Sequence, residues 1–214
     1  MRITLSKLVI LALILCIVFL SGCEPPKAPW ERKLKKPIIY LYPLSEQIVN
    51  VQLDLLGKLT CTYPEYGEGW QVLAWPDGSL TNLKDGEEYS YLFWEGISDY
   101  QWDMSRGFVV KGSETQEFLK NKLEYIGLTP REANDFIVYW LPILQENQYN
   151  LITFADEEYE NVAQLKVTPQ PDSILRVFMV YKPLTQPVAV EEQVLIPFER
   201  KGFTVVEWGG TKAE

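Results

Sequence analysis

A chain of 214 residues with a formal net charge of −9 and no histidine excludes several chemistries at the outset. Ser-His-Asp and Cys-His catalysis and histidine-ligated zinc or iron all fall away. Residues 37–214 carry 13 Lys and Arg against 27 Asp and Glu, a net of −14; such a surface repels nucleic acid, anionic lipid and anionic wall polymers.

The chain begins with Met1, Arg2 and Lys7, followed by 13 unbroken apolar residues from Leu8 to Leu20. A bilayer span needs roughly 20 residues, so this stretch reads as the core of a signal peptide over residues 1–22. "LSGC", Leu20 to Cys23, resembles the lipobox of bacterial lipoproteins. The resemblance implies cleavage after Gly22 and a diacylglyceryl thioether on Cys23. Two or three acyl chains there would hold the protein on the outer, extracytoplasmic face of a bacterial cell membrane. Cys16 leaves with the signal and Cys23 carries lipid, so Cys61 is a single thiol without a disulfide partner. It is expected to be a small buried hydrophobe. Residues 23–36, with three prolines and five basic residues, read as an extended tether. Lys27, Arg32, Lys33, Lys35 and Lys36 would sit beside the headgroups.

Residues 37–210 have the length of one ordinary domain, with 211–214 as a disordered tail. Its first half reads as strands: "PIIYLYP", the alternating "IVNVQLDLLG", "KLTCTY", "GWQVLAW" before the turn "PDGS", "YSYLFWEG" after the turn "KDGEE", and "GFVVKG". The period then changes. Ser113 with Gln116 predicts a capping box for a helix carrying Phe118, Leu119, Leu123 and Ile126 on one stripe, closed by Gly127. Thr129, Pro130 and Glu132 open a second helix with the stripe Ala133, Phe136, Ile137, Trp140, Leu141 and Leu144, which Pro142 should kink or shorten. The short link predicts an antiparallel helical hairpin. Strands return in "YNLITF", "QLKV", "SILRVFMVY", "QVLIP" and "FTVVEW". The order predicts an α+β fold, a mostly antiparallel sheet or sandwich with one inserted helical hairpin. No phosphate loop or dinucleotide fingerprint is present, and no cofactor is expected.

"KPIIYLYP", "YLFWEG" and "VVEWGG" together resemble a family of secreted proteins of bacteria and some fungi that has no assigned activity. The similarity spans about Lys36 to Gly210 and implies export and one fold unit; it carries no catalytic residue with it.

Two of these motifs hold a glutamate beside a tryptophan, Glu95 and Glu207. Two carboxylates about 5–10 Å apart, one kept protonated by an apolar wall, would make a hydrolase of cell-wall or other glycans. The competing reading starts from Arg176, which shares an apolar strand face with Ile174, Phe178 and Val180. A half-buried guanidinium needs a carboxylate partner. A bidentate contact from Arg176 to Glu95 or Glu207 would keep that glutamate ionised and make it a structural tie, unsuited to acid catalysis. Acidic turns in "DGS", "DGEE", "DYQWD" and "ADEEYE" offer oxygen ligands, but none has the spacing of a calcium loop, and no metal site is expected. The leading expectation is a non-catalytic, lipid-anchored binding or cell-envelope domain whose partner is a protein or glycan. The alternative is the carboxylate-pair hydrolase.

Overall fold

In the computed structural model, residues 32–214 are described. The stretch read above as a signal peptide, Cys23 and the expected tether up to residue 31 lie outside the described residues. The strands are β1 (Arg32–Tyr42), β2 (Gln47–Leu55), β3 (Lys58–Tyr63), β4 (Trp70–Ala74), β5 (Leu80–Asn82), β6 (Glu88–Tyr89), β7 (Leu92–Ser98), β8 (Arg106–Lys111), β9 (Tyr149–Phe154), β10 (Ala163–Thr168), β11 (Ser173–Leu184), β12 (Glu191–Glu192) and β13 (Thr204–Lys212). The helices are α1 (Thr115–Ile126), α2 (Pro130–Leu144) and α3 (Asp156–Val162).

An eight-stranded sheet in the order β12-β8-β9-β11-β13-β1-β7-β3 forms the middle layer. A five-stranded sheet, β10-β2-β4-β5-β6, covers one face, and the α1–α2 hairpin covers the other. The fold is α+β, as the element order predicts. Period-2 alternation sorts each central strand between two cores. On β1, Ile39 and Leu41 face the second sheet, while Ile38 and Tyr40 face the helices. On β13, Val205 faces the second sheet, and Val206 and Trp208 face the helices. Most ladders are antiparallel, but β11–β13 and β12–β8 run parallel.

The helix signals resolve differently at the two N-termini. Thr129 and Glu132 close a capping box at α2, where the Thr129 amide donates to Glu132 Oε2 at 2.7 Å. The box expected of Ser113 and Gln116 does not form. A 3₁₀ turn, Gly112–Glu114, precedes α1, and no side chain caps it. The Thr115 hydroxyl instead donates to the Lys111 carbonyl at 3.2 Å. Gly127 ends α1 with φ 118°, the left-handed position that glycine adopts without a Cβ clash. Pro142 lies two residues before the end of α2.

Two boundaries, two elements and two burials differ from expectation. β1 starts at Arg32, so residues 32–36 belong to the sheet and not to the tether. Leu34 is fully buried there. Arg32, read above as a headgroup contact, is itself buried. Its Nη1 donates to the Asp99 and Tyr100 carbonyls at 3.3 and 3.2 Å, and its Nη2 to Gln101 at 2.8 Å. The tail is also ordered: β13 runs to Lys212, Thr211 is buried, and the Ala213 amide donates to the Tyr181 carbonyl at 2.8 Å. "QVLIP" is extended but pairs with no strand, because the ladder stops at Glu192. Helix α3 was not anticipated; Tyr159 and Val162 on it close one end of the inter-sheet core. Cys61 is exposed, because β3 is the outermost strand and that side of it faces solvent.

Close approach explains the double glycine of "VVEWGG". A Cβ on Gly210 would lie 2.5 Å from the Met179 carbonyl oxygen and 2.8 Å from the Trp140 ring. Trp140 therefore packs directly on sheet backbone, with Phe136, Tyr139 and Tyr181 around it. Truncating a fully buried tryptophan leaves a cavity that the sheet backbone cannot collapse to fill. Trp140→Ala is expected to cost about 3–5 kcal/mol in urea unfolding, a large part of the stability of a domain this size. Val138→Ala, on the exposed face of the same helix, is expected to change it by less than about 0.5 kcal/mol.

Candidate functional site

The parallel β11–β13 ladder sets Arg176 directly opposite Glu207. Both side chains point into the space between the sheets. Glu207 is fully buried. Arg176 Nε donates to Glu207 Oε2 at 2.7 Å, and Nη2 lies 2.6 Å from the same oxygen, out of line for a hydrogen bond. The other oxygen, Oε1, accepts from Trp94 Nε1 at 2.9 Å. Trp94 reaches it from β7, across the intervening β1. The contact expected of Arg176 is thus made to Glu207, but in a different form. Both guanidinium nitrogens converge on one carboxylate oxygen, because the indole of Trp94 holds the second.

The Arg176 guanidinium lies over the Tyr159 ring at 4.3 Å, and that ring stacks on Phe178 with centroids 4.1 Å apart. Burial alone would lower the pKa of Arg176, but the Glu207 carboxylate outweighs it and raises the value. The guanidinium therefore stays charged inside the core. The Tyr159 phenol is fully buried, and its hydroxyl makes no well-formed hydrogen bond among the described residues. Desolvation, and after it the charge of Glu207, push its pKa well above the ordinary tyrosine value.

Glu95 takes no part in this cluster. On β7 it has the parity of Phe93 and faces the helix side, opposite to Trp94. Its Oε1 accepts the Lys36 backbone amide at 3.3 Å. Lys36 has φ 59° and sits in a β1 bulge where the register to both neighbours shifts. Its ammonium lies 5.1 Å from the Phe93 ring centroid and 5.8 Å from that of Tyr139. The Tyr139 phenol is raised in pKa by burial first and by Glu95 second. Glu95 and Glu207 thus stand on opposite faces of one sheet and cannot flank a single glycosidic bond. The couple that the hydrolase reading requires is not assembled.

A second internal ion pair escaped the sequence reading. Glu132, the capping-box residue, is fully buried and receives Arg200 in a two-pronged contact. Arg200 Nη1 donates to Oε1 at 3.1 Å, Nη2 contacts Oε2, and Nη2 also donates to the Gly127 carbonyl at 3.0 Å. The capping box accounted for Glu132 completely, and only the return of the chain at Arg200 reveals the second role.

The acidic turns are occupied by their own loops. Asp77 accepts from the Ser79 amide and hydroxyl at 2.9 and 2.6 Å, and Asp103 from those of Ser105 at 2.8 and 3.0 Å. Asp85 accepts from the Glu87 amide at 2.9 Å and the Asn82 amide group at 2.6 Å. Among the described residues, no group of three or more Cys, Asp and Glu could hold a metal ion.

The open clefts lie elsewhere, around α3 and the extended segment after β12. One holds about 490 Å³ and is bordered by Asp103, Arg106, Phe154, Glu158, Val194 and Ile196. A neighbouring hollow of about 410 Å³ is bordered by Glu160, Gln164, Ile174 and Arg176. Neither is lined by Glu95 or Glu207. No known protein family, curated protein or solved structure matches the chain.

Removing one member of a buried ion pair leaves an uncompensated charge. Arg176→Met and Glu207→Leu are each expected to lower stability by about 3–5 kcal/mol in urea unfolding, whereas the double variant recovers most of the loss. Tyr159→Phe tests the same cluster through pH. The unfolded phenol ionises near about pH 10, while the folded one is held neutral. The stability it contributes is complete below that pH and is lost as pH rises beyond it. The Phe variant is therefore expected to lose less stability between pH 9 and 11 than the parent chain, as read from urea midpoints.

Proposed function

We propose that this protein is a lipid-anchored, extracytoplasmic domain that binds a partner rather than transforming a substrate. The observation that carries the reading is the fate of the two tryptophan-flanked glutamates. Glu207 has no solvent-reachable surface and both of its oxygens are engaged, while Glu95 supports a backbone bulge on the other face of the sheet. A general acid and a base or nucleophile must share a cleft that the substrate enters. Here the two residues best suited by sequence serve as internal ties.

Location is argued from the N-terminal sequence. The positive start, the apolar stretch and "LSGC" support lipidation at Cys23 and attachment to the outer face of a bacterial membrane. The acidity of residues 37–214 disfavours nucleic acid and anionic polymers as partners and favours a protein with basic character. A glycan is a weaker fit, because Trp94, Trp140 and Trp208 are fully buried and present no face for a sugar to stack on.

Two measurements test this reading. In metabolic labelling with an alkyne fatty acid, the parent chain takes the label and Cys23→Ser does not; the variant is also released from membranes or left unprocessed. Equal labelling of both removes the anchor. In peptidoglycan zymograms, parent and Glu95→Gln are expected to leave the substrate equally intact. Clearing by the parent that Glu95→Gln abolishes would return the hydrolase to first place.

A further inference from the structure

The chain from Glu191 to Arg200 runs past the β8 edge of the eight-stranded sheet and beneath α1. It is pinned at two points. The Gln193 side chain clips onto Phe154, accepting from its amide at 2.9 Å and donating to its carbonyl at 2.7 Å. The Phe198 amide donates to the Ile126 carbonyl at 2.9 Å. Between the pins the chain alternates as a strand does. Leu195 is buried, while Val194 and Ile196 are 87% and 80% exposed. Yet no strand lies beside them, and their backbone groups have no hydrogen-bond partner among the described residues. An extended segment with free amides and carbonyls is a template for one more strand.

The surroundings suit a particular partner. Val194 borders both the cleft of about 490 Å³ and another of about 430 Å³ beside Tyr125. Ile196 borders the first and a third of about 250 Å³, which Ile174 and Phe198 also line. Each outward side chain is thus a ridge between two hollows, a shape that accepts alternate side chains of an added strand. The rims carry carboxylates at Asp103, Glu157, Glu158, Glu160 and Glu192. Of the bordering cations, Lys122 is within 3.8 Å of Glu192, Arg176 is paired with Glu207, and Arg106 stands on the rim of the first cleft near Asp103, which leaves the carboxylates in excess.

We propose that the segment Gln193–Pro197 is the docking strand for an extended peptide of a partner protein in which basic and apolar residues alternate. The proposal rests on the binding reading above and specifies its surface and chemistry. Backbone pairing supplies a sequence-independent part of the affinity. The apolar side chains cover Val194 and Ile196, and the basic ones reach the rim carboxylates. A second copy of this chain is a poorer occupant, since it would bring a domain with a net charge of −14 to an acidic rim.

The test uses the full chain in detergent and short fluorescent peptides of alternating lysine and valine or alternating glutamate and valine, read by anisotropy. The lysine peptide is expected to bind saturably and the glutamate peptide not at all. The Val194→Asp, Ile196→Asp double variant is expected to weaken lysine-peptide binding by about tenfold or more. That variant adds negative charge, so a general attraction of cations to an acidic protein would make it bind more tightly, not less. The double serine variant serves the same purpose should the aspartates disturb folding. Equal binding of both peptides, or undiminished binding to the variants, overturns the proposal. So does self-association of the parent chain in sedimentation that the same substitutions abolish. Lytic activity in the zymogram would sink the binding reading itself, whereas peptide failure without lytic activity sinks only this surface.

Discussion

A carboxylate with no exposed surface, between two sheets, is the constraint that the centre of this structure must satisfy. An ionised Glu207 without partners would cost several kcal/mol in desolvation, more than a typical margin of stability tolerates. The fold meets that demand from two directions. Arg176 stands opposite on the parallel neighbour β11, and Trp94 reaches across β1 from β7. One side chain thereby specifies the relative placement of three strands that are distant in sequence. A register slip of one residue on β11 would turn Arg176 to the helix side and leave both charges unpaired. What the pair contributes is strand placement more than net stability, since a well-packed apolar replacement of both members can be neutral.

The parallel β11–β13 ladder has a consequence beyond the ion pair. Parallel neighbours need a crossover, and here the chain between Leu184 and Thr204 supplies it. That crossover contains the unpaired segment after β12 and also Arg200, which enters the buried site of Glu132 at the start of α2. The crossover is therefore fastened at its far end by a charge pair, at Phe198 by a backbone bond and at Gln193 by a side-chain clip. The stretch between the clip and Phe198 keeps free backbone groups between two fixed points. Rigid flanks around an unsatisfied extended stretch lower the ordering cost of adding a strand there.

How much of this was legible in the sequence depends on the range of the interaction. Alternation in "IVNVQLDL" and the cap signals at Thr129 and Gly127 are local, and the structure carries them as written. The need of Arg176 for a carboxylate was also legible, because a charge on an apolar strand face is a local anomaly. Which carboxylate, and with what geometry, was not: Glu95 and Glu207 each adjoin a tryptophan, and only their strands' placement in the sheet puts one on each face. The errors at the termini share one cause. Basic residues 32–36 and the polar end 211–214 look solvated by composition, yet β1 and β13 pair with each other and draw both ends into the sheet. Cys61 was misjudged for the opposite reason. Alternation in "KLTCTY" resembles a half-buried strand, but at a sheet edge its Cys61 side meets solvent.

The three motifs that set this chain apart converge on adjacent strands, β1, β7 and β13. Their unusual residues are explained by what they touch. The Lys36–Pro37 pair forms a bulge that the Glu95 carboxylate supports. Gly96 leaves room for Leu55, whose side chain would lie 2.7 Å from a Cβ there. Gly210 admits the Trp140 ring. Glu207 and Trp94 meet directly. Each of these features looks catalytic or ligand-binding when read alone, since charge beside tryptophan and paired glycines also mark active sites. Placed in three dimensions they answer one another, and little of their chemistry is left to face a substrate. Unpaired backbone groups accompanied by exposed apolar side chains lie instead at the edge of the sheet, in a segment whose sequence, "QVLIP", carries no such signal. That division explains why motif reading locates the architecture of this protein more readily than its point of contact with a partner.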